Sequence, residues 1–286
     1  MARCEVCFRR CERPEGQRGA CGARISEQGV MRAENYGRVT GLALDPIEKK
    51  PLRRFYPGSR ILSVGSYGCN LRCPFCQNHE ISWSEEAMAQ RTRAETVSPA
   101  ELVALALRLR DRGNIGLAFT YNEPLVGWEF VRDAGRLAHE AGLQTVLVTN
   151  GTAALPVLEA VAPYIDAMNI DLKGFTEDYY TRVLGGSLEM TRAFIARAAQ
   201  LCHVELTTLV VPGENDSEDG MRAMTGWIAG LAGADGRIIG PDIPLHISRF
   251  FPRFHMTDRP ATDVRRIGRL AEIAREQLRY VYKGNC

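Results

Sequence analysis

Three cysteines in one short segment are the residues of this chain whose type and spacing point most directly to chemistry. Cys69, Cys73 and Cys76 have the spacing C-x3-C-x2-C and follow an apolar run at 61–66. Thiolates are soft ligands that favour iron–sulfur clusters or zinc. Three thiolates on a four-iron cluster leave one iron open, as a catalytic metal site keeps one position open. The spacing alone leaves zinc, or three unrelated core thiols, as alternatives.

A second group of four cysteines lies near the start of the chain: Cys4, Cys7, Cys11 and Cys21. Four thiols can close a structural zinc site or hold an auxiliary iron–sulfur cluster, and ligand softness does not separate the two. The irregular spacing favours zinc or another structural metal. The chain has nine cysteines in all, and the odd number favours metal over a disulfide framework. Cys202 and Cys286 have no assigned role.

The composition places the chain among ordinary globular proteins. It has 286 residues, a formal net charge of +2, 45% hydrophobic and 24% charged residues. These values exclude collagen-like, coiled-coil and disordered classes. No apolar run approaches the roughly 18 residues of a membrane helix, and the start of the chain lacks the apolar core of a secretory signal. We therefore expect a cytoplasmic protein.

Strand and helix signals alternate from residue 61 onward. Apolar, β-branched runs predict six strands, at 61–66, 115–121, 144–150, 165–173, 203–211 and 243–248. Amphipathic segments predict helices near 98–112, 125–141, 153–162, 176–200, 218–232 and 261–278. Strands that are apolar on both faces are typical of a parallel sheet covered by helices. Six such units in series predict an α/β fold, either a doubly wound sheet or a barrel.

Polar residues stand at or near the ends of these strands, where α/β folds place their sites. They are Glu123, Asn150, Asp171, Lys173, Thr208 and His246. Each has a purely structural alternative. Glu123 could cap the next helix, and Asn150 could serve only a turn. Asp171 and Lys173 could simply pair with each other, and His246 could be a hydrogen-bonded core residue.

The segment around the three cysteines resembles the radical S-adenosylmethionine (SAM) superfamily. Longer motifs resemble the radical SAM enzymes of the AmmeMemoRadiSam system, relatives of the pyruvate formate-lyase activating enzymes. These motifs are CQNHEIS (76–82), ALDPIEKKPL (43–52), FTYNEP (119–124), NIDLKGF (169–175), VVPGENDS (210–217) and PLHISRF (244–250). The resemblance covers essentially the whole chain. It implies a partial (β/α)6 TIM-like barrel at 61–286, preceded by a Cys-rich metal module and connecting segment at 1–60.

The resemblance also implies a chemistry. Cys69, Cys73 and Cys76 would ligate a [4Fe–4S] cluster, and SAM would chelate its fourth iron. Reductive cleavage of SAM would give a 5′-deoxyadenosyl radical that abstracts hydrogen from a substrate. Contacts with SAM or the substrate are implied for seven further residues: Phe75, Glu123, Asn150, Asp171, Lys173, Thr208 and His246. Family members commonly run on past Gly284 with further cysteines, so we expect part of a substrate lid, or a third metal site, to be missing where this chain ends.

Partners and rival functions follow from the same resemblance. A flavodoxin- or ferredoxin-type protein would donate electrons, and Memo and AMMECR1 family proteins would be partners. No membrane partner is expected. Arginine-rich stretches at 3–24 and 249–279 leave nucleic acid open. One rival function is the activation of a glycyl radical enzyme. Another is a non-catalytic metal-bound protein for interaction or redox sensing.

Overall fold

An eight-stranded sheet forms the centre of the computed structural model, which describes residues 1–286. Its strands are β1 (Gly41–Pro46), β2 (Arg60–Gly65), β3 (Asn114–Thr120), β4 (Gln144–Thr149), β5 (Ala167–Asp171), β6 (His203–Val210), β7 (Leu245–Arg249) and β8 (Val281–Gly284). They lie side by side in chain order. Strands β2 to β8 are parallel, and β1 is antiparallel to β2. Because β1 and β8 do not pair, the sheet is an open barrel.

The six predicted strands are confirmed as β2 to β7, and the predicted α/β class is confirmed with them. The two edge strands escaped prediction, because β1 is the short segment GLALDP with a polar, proline-terminated end and β8 is a short VYKG segment. The predicted fourth strand was too long. Strand β5 ends at Asp171, so Lys173 lies in the loop that follows it and not on the strand.

Eight α-helices connect or flank these strands. Their bounds are His79–Ser82, Glu85–Arg93, Pro99–Arg108, Trp128–Glu140, Leu155–Val161, Leu188–Ala198, Glu218–Ala229 and Val264–Arg275. The helix Pro99–Arg108 begins with a capping box, in which the Ser98 hydroxyl accepts from the Glu101 N–H and the Glu101 carboxylate accepts from the Ser98 N–H. None of the helices combines the length and apolar character needed to cross a membrane.

The long helix predicted at 176–200 is broken. A π-helical turn, Tyr179–Leu184, precedes the regular helix Leu188–Ala198. Gly185 separates them with a φ of 61°, a left-handed conformation that glycine adopts without steric cost. The chain therefore turns at the Gly185–Gly186 pair before it resumes the helix.

The two faces of the sheet have different surroundings. Residues on the outer face pack against the helices in one cluster of 58 buried residues. The inner face holds a small apolar cluster at the amino end of the barrel: Ile47, Leu52, Ile61, Ala118, Val146 and Ala167. Two of its members, Ile47 and Leu52, come from the loop that joins β1 to β2. That loop, residues 47–59, closes the amino end of the barrel and is called the floor loop below.

The first 40 residues form short paired strands with no helix. Ala2–Arg3 pairs with Glu12–Arg13, and Arg24–Glu27 pairs with Val30–Ala33. This segment contacts the carboxyl end of the barrel, where the Ala154 N–H donates to the Val6 carbonyl at 2.8 Å. The division into units 1–60 and 61–286 stays a prediction, and strand β1 of the first unit belongs to the sheet of the second.

Candidate active site

The cysteine loop, residues 66–76, leaves the carboxyl end of β2 and is held by hydrogen bonds from neighbouring segments. Asn122 accepts from the Ser66 N–H at 3.1 Å and donates to the Tyr67 carbonyl at 3.2 Å. The Glu123 N–H donates to the Gly68 carbonyl. Gly68 has a φ of 97°, and a Cβ there would lie 2.5 Å from the Ala23 side chain. Only glycine fits this close approach.

The thiols of the loop act on one another electrostatically, and those of Cys69 and Cys73 are desolvated. Burial raises the pKa of Cys69 well above its usual value, and the charges of Glu123 and Cys73 add to the rise. Burial likewise raises the pKa of Cys73 to about 12, against the opposing effect of the Lys173 ammonium. In this structure no three Cys, His, Asp or Glu side chains stand at metal-ligating distance from one another. Soft thiolates beside a cation are nevertheless the donor set that an iron–sulfur cluster requires, so the residues fit such a group.

Asn150 links the cysteine loop to the end of β4. Its side-chain amide donates to Asn70 Oδ1 at 2.8 Å and lies 3.7 Å from the Cys69 sulfur. Its amide oxygen accepts from the Thr152 N–H and hydroxyl at 3.0 and 2.6 Å. Hydrogen bonds to a ligand sulfur tune and orient a metal site. Asn150 can therefore set the position of Cys69, a role beyond the turn considered from sequence.

Glu123 is buried and connects the carboxyl ends of β3 and β4. Its carboxylate accepts from the Leu125 N–H, the Thr149 hydroxyl and the Asn150 N–H at 2.8–3.0 Å. Burial raises its pKa to about 7, although these three hydrogen bonds act in the opposite direction. The capping role considered from sequence is present, because Glu123 caps the 3₁₀ turn Pro124–Gly127. A contact between Glu123 and SAM stays a prediction.

Asp171 and Lys173 form a largely buried ion pair beside the cysteine loop. Lys173 Nζ lies 2.7 Å from Asp171 Oδ2. Burial would lower the pKa of Lys173, but the charges of Asp171 and Cys73 outweigh this effect and raise it. The Lys173 backbone is fixed on both sides, since its N–H donates to the Tyr180 hydroxyl and its carbonyl accepts from Asn215. The pair therefore presents a fixed cation to the thiols.

Phe75 and Thr208 fall in different environments. Phe75 is buried and packs edge-on against Phe250, with ring centroids 6.2 Å apart. Its predicted contact with adenine stays a prediction. Side chains alternate along a strand, and Thr207 shares the inner face with Glu205, where it donates to Asn169. Thr208 therefore faces outward between the helices, which does not match the SAM contact expected for it. The expectation differs from the structure by one position along β6, and neighbouring side chains on a strand point to opposite faces of the sheet.

His246 has the structural role considered from sequence. Its Nε2 lies 2.7 Å from Glu205 Oε2, and its ring stacks on Tyr282 at 5.2 Å. Glu205 also accepts from the backbone N–H groups of Arg53 and Arg54 in the floor loop, at 3.0 and 2.7 Å. His246 thus belongs to the closure of the amino end. A contact with the methionine part of SAM stays a prediction.

Glu205 is the most connected polar residue that sequence reasoning missed. It is fully buried, and it also lies 3.0 Å from His203 Nε2. Burial would raise its pKa, but hydrogen bonds from His203, His246 and the floor loop lower it to about 2. A glutamate in an apolar run, at i+2 from a histidine, was the available signal. Its position predicts an inward-facing charge that needs partners.

An aromatic cluster beside the cysteine loop was also missed. His79 stacks on Phe254 at 4.2 Å, and the Trp83 ring meets Phe254 edge-on at 5.1 Å. Phe254 has a φ of 57°, a strained conformation for a bulky residue. The His255 N–H donates to the Pro74 carbonyl at 2.8 Å, which ties this segment to the cysteine loop. The cluster therefore lines the approach to the thiols.

The four amino-terminal cysteines lie against the same loop. Cys4, Cys7 and Cys21 are buried, and Cys11 is half-buried. Burial raises the pKa of Cys21 to about 11, and the charges of Cys7 and Cys4 contribute to the rise. Cys4, Cys7 and Cys21 therefore influence one another electrostatically, and a metal shared by all four cysteines stays a prediction.

Comparison with known proteins identifies the family and the fold. The Radical SAM superfamily pattern matches residues 63–223. An uncharacterized protein of Methanocaldococcus jannaschii is 38% identical over 285 residues, which make up 99% of this chain and 81% of that protein. This chain belongs to the radical SAM superfamily. The pyruvate formate-lyase 1-activating enzyme of Escherichia coli K12 is 28% identical over 57% of this chain and 65% of that enzyme.

Solved structures agree on the fold of this radical SAM chain. A radical SAM methyltransferase from Sphaerobacter thermophilus superposes with a TM-score of 0.54 at 18% identity, over 80% of this chain and 67% of that one. At this identity the similarity shows the fold alone. Superfamily membership makes the chain an enzyme that uses a [4Fe–4S] cluster and SAM.

Proposed function

We propose that Cys69, Cys73 and Cys76 hold the [4Fe–4S] cluster of this radical SAM enzyme at the carboxyl end of the barrel. The bound cluster and SAM together supply the reductive cleavage that yields a 5′-deoxyadenosyl radical, which takes hydrogen from the substrate. The observation that carries the proposal is the placement of three thiols on the loop after β2, beside the Lys173 ammonium. Sites of barrel enzymes lie at this end of the strands.

The neighbouring polar residues have distinct proposed roles. The Lys173 cation balances thiolate charge, and Asp171 fixes the Lys173 ammonium at 2.7 Å. Asn150 orients the Cys69 sulfur through its amide. Glu123 is a positioning residue, because it holds the Asn150 N–H and the turn that supports Gly68. We propose that the inner face near Asp171 and Asn150 receives SAM.

Anaerobic reconstitution tests this function. The chain is loaded with iron and sulfide, and SAM and dithionite are added. We expect 5′-deoxyadenosine from the wild type and from the control variant Cys202→Ser, whose thiol lies in the helix-packed core. We expect none from Cys69→Ala. An iron-loaded wild type that yields no 5′-deoxyadenosine would overturn the proposal and favour a non-catalytic metal-bound protein.

Activation of a glycyl radical enzyme is the second candidate. It is supported by the relatives named as pyruvate formate-lyase activating enzymes in Escherichia coli and Clostridium pasteurianum. In that case the hydrogen donor would be a backbone glycine of a partner protein. Incubation of the loaded enzyme with SAM and pyruvate formate-lyase, followed by electron paramagnetic resonance, would show a glycyl radical. Its absence, with 5′-deoxyadenosine still formed, would exclude that partner.

The remaining proposals concern partners and place. We propose a flavodoxin- or ferredoxin-type electron donor, Memo and AMMECR1 family partners, and a cytoplasmic location. The arginine-rich 249–279 stretch gives little support to a nucleic-acid partner, because its charges are largely paired within the chain. Arg259 meets Glu214, Arg265 meets Asp263, and Arg269 meets Glu218. Such pairing is typical of a solvated surface.

A further inference from the structure

The four amino-terminal thiols are presented by two tight turns that face each other. One turn follows Cys7, where the Arg10 N–H donates to the Cys7 carbonyl at 3.1 Å. The other spans Gly19–Gly22, closed by a 3.0 Å hydrogen bond between those residues. The Cys4 N–H donates to the Cys11 carbonyl at 2.9 Å. Cysteines carried on facing turns are the arrangement of small structural metal sites.

Backbone and side-chain donors around these thiols suit thiolates. The Ala20 N–H donates to the Cys11 sulfur at 3.4 Å, which joins the two turns directly. Arg24 follows three residues after Cys21 and is only 5% exposed. Its guanidinium contacts Glu129, but its Nε is buried without any partner. The charges of Cys4 and Cys21 act on this guanidinium, so its unused Nε donor leaves room for further negative charge beside these two thiols.

The same turns hold the catalytic cysteine loop. The Cys69 N–H donates to the Cys21 carbonyl at 3.2 Å, and the Arg72 guanidinium donates to the Ala20 carbonyl. From the other turn, Arg9 Nε donates to the Asn70 carbonyl at 2.6 Å. Three hydrogen bonds therefore connect the amino-terminal turns to residues 69–72.

We propose that Cys4, Cys7, Cys11 and Cys21 bind one zinc ion in a closed tetrathiolate site that braces the cysteine loop. The bracing part rests on the proposed function of that loop, and the zinc part does not. The sulfurs are not at ligating distance in this structure, and neither are those of the catalytic loop. Zinc favours a closed four-thiolate set when the role is structural, and these four cysteines, three of them buried, supply such a set.

Metal analysis of a chain that lacks the catalytic thiols tests the zinc site. In the triple variant Cys69→Ala, Cys73→Ala, Cys76→Ala we expect about one zinc per chain and no iron. Adding Cys21→Ser should remove the zinc, and adding Cys202→Ser should not. No bound metal, or iron with sulfide in place of zinc, would overturn the proposal. This result is independent of SAM cleavage, so failure of one proposal does not imply failure of the other.

The wild-type chain supplies a second measurement if the triple variant does not fold. After anaerobic reconstitution we expect one zinc beside about four irons per chain. A chain with about eight irons, or with no zinc, would contradict the site.

Hydrogen exchange tests the bracing. Removal of zinc from the triple variant by a chelator should speed amide exchange over residues 66–76 by at least tenfold, because the backbone N–H at position 69 loses its fixed acceptor, the Cys21 carbonyl. Exchange over residues 203–210 should be unchanged. Equal exchange in the cysteine loop before and after chelation would contradict the bracing role.

Discussion

The two ends of this barrel use polar residues in opposite ways. At the amino end, Glu205 has four partners and lies fully buried beneath the floor loop. At the carboxyl end, Cys69, Cys73 and Cys76 lie on a loop whose backbone is firmly held but whose sulfurs have few partners. Buried polar groups whose hydrogen bonds are all made stabilise a fold. Groups that are held in place but have unused donor or ligand atoms can bind a ligand. We therefore assign a stabilising role to the amino end and a catalytic role to the carboxyl end.

The floor loop explains a motif that resemblance alone left without a role. Residues 45–55 supply Asp45, whose pKa is lowered because hydrogen bonds from Lys50, Tyr121 and Ser63 outweigh its burial. They also supply the two N–H groups that bind Glu205 and the Pro51 carbonyl that accepts from Asn169. The ALDPIEKKPL string, together with Arg53 and Arg54 that follow it, therefore closes the amino end of the barrel. Only the carboxyl end stays open for reactants.

The largest expected effect is at the carboxyl end. Cys73→Ala should lower the rate of 5′-deoxyadenosine formation by at least a thousandfold, because a cluster ligand is lost. In the metal-free state the free energy of unfolding should fall by only about 1 kcal/mol, the cost of removing one buried sulfur. Anaerobic turnover and urea unfolding measure the two quantities. If Cys73→Ala destabilised the fold enough to explain its loss of activity, the proposed assignment of stability to the amino end and catalysis to the carboxyl end would be wrong.

The second effect is at the amino end. Glu205→Gln should lower the free energy of unfolding by about 4 kcal/mol, because a buried carboxylate with four hydrogen-bond partners is removed and an amide NH₂ faces N–H donors. SAM cleavage per folded, cluster-loaded molecule should stay within twofold of the wild type. Urea unfolding and turnover below the unfolding transition check this. A tenfold loss of turnover would place Glu205 in the active site.

The pH dependence of stability sharpens the same contrast. Glu205 has a pKa of about 2 in the folded protein and an ordinary value of 4.5. A lowered folded pKa contributes stability that is fully present above pH 4.5 and is lost as pH falls toward 2, by about 3 kcal/mol in total. The stability gap between wild type and Glu205→Gln should therefore narrow over that range. A gap that is constant with pH would contradict the assigned network.

The smallest effect separates the two faces of β6. Thr207→Val removes a hydroxyl that donates to Asn169 and should cost about 1 kcal/mol of stability. Thr208→Val places a methyl group in an apolar setting and should be neutral or slightly stabilising. Thermal unfolding of the pair measures the difference. If Thr208→Val instead weakens SAM binding several-fold and Thr207→Val does not, the outward assignment of Thr208 is wrong.

Sequence reasoning was accurate where local chemistry and pattern act together. The order and type of β2 to β7 follow from continuous apolar runs, and the cysteine loop follows from its spacing. The phase of β6 was missed because the strand is buried on both faces, although His203 and Glu205 alternate with apolar residues and so mark the inner face. The partner of His246 comes from another strand 41 residues earlier, so no local signal reveals it. Contacts between the amino-terminal turns and Cys69 likewise depend on the assembled fold.

The most direct test measures SAM cleavage and bound iron together in Cys69→Ala and Glu205→Gln, each beside the wild type. The account predicts that Cys69→Ala binds no catalytic iron and forms no 5′-deoxyadenosine. It predicts that the folded fraction of Glu205→Gln keeps both properties. Normal 5′-deoxyadenosine formation by Cys69→Ala, with its iron retained, would contradict the assignment of the carboxyl-end thiols as the catalytic site.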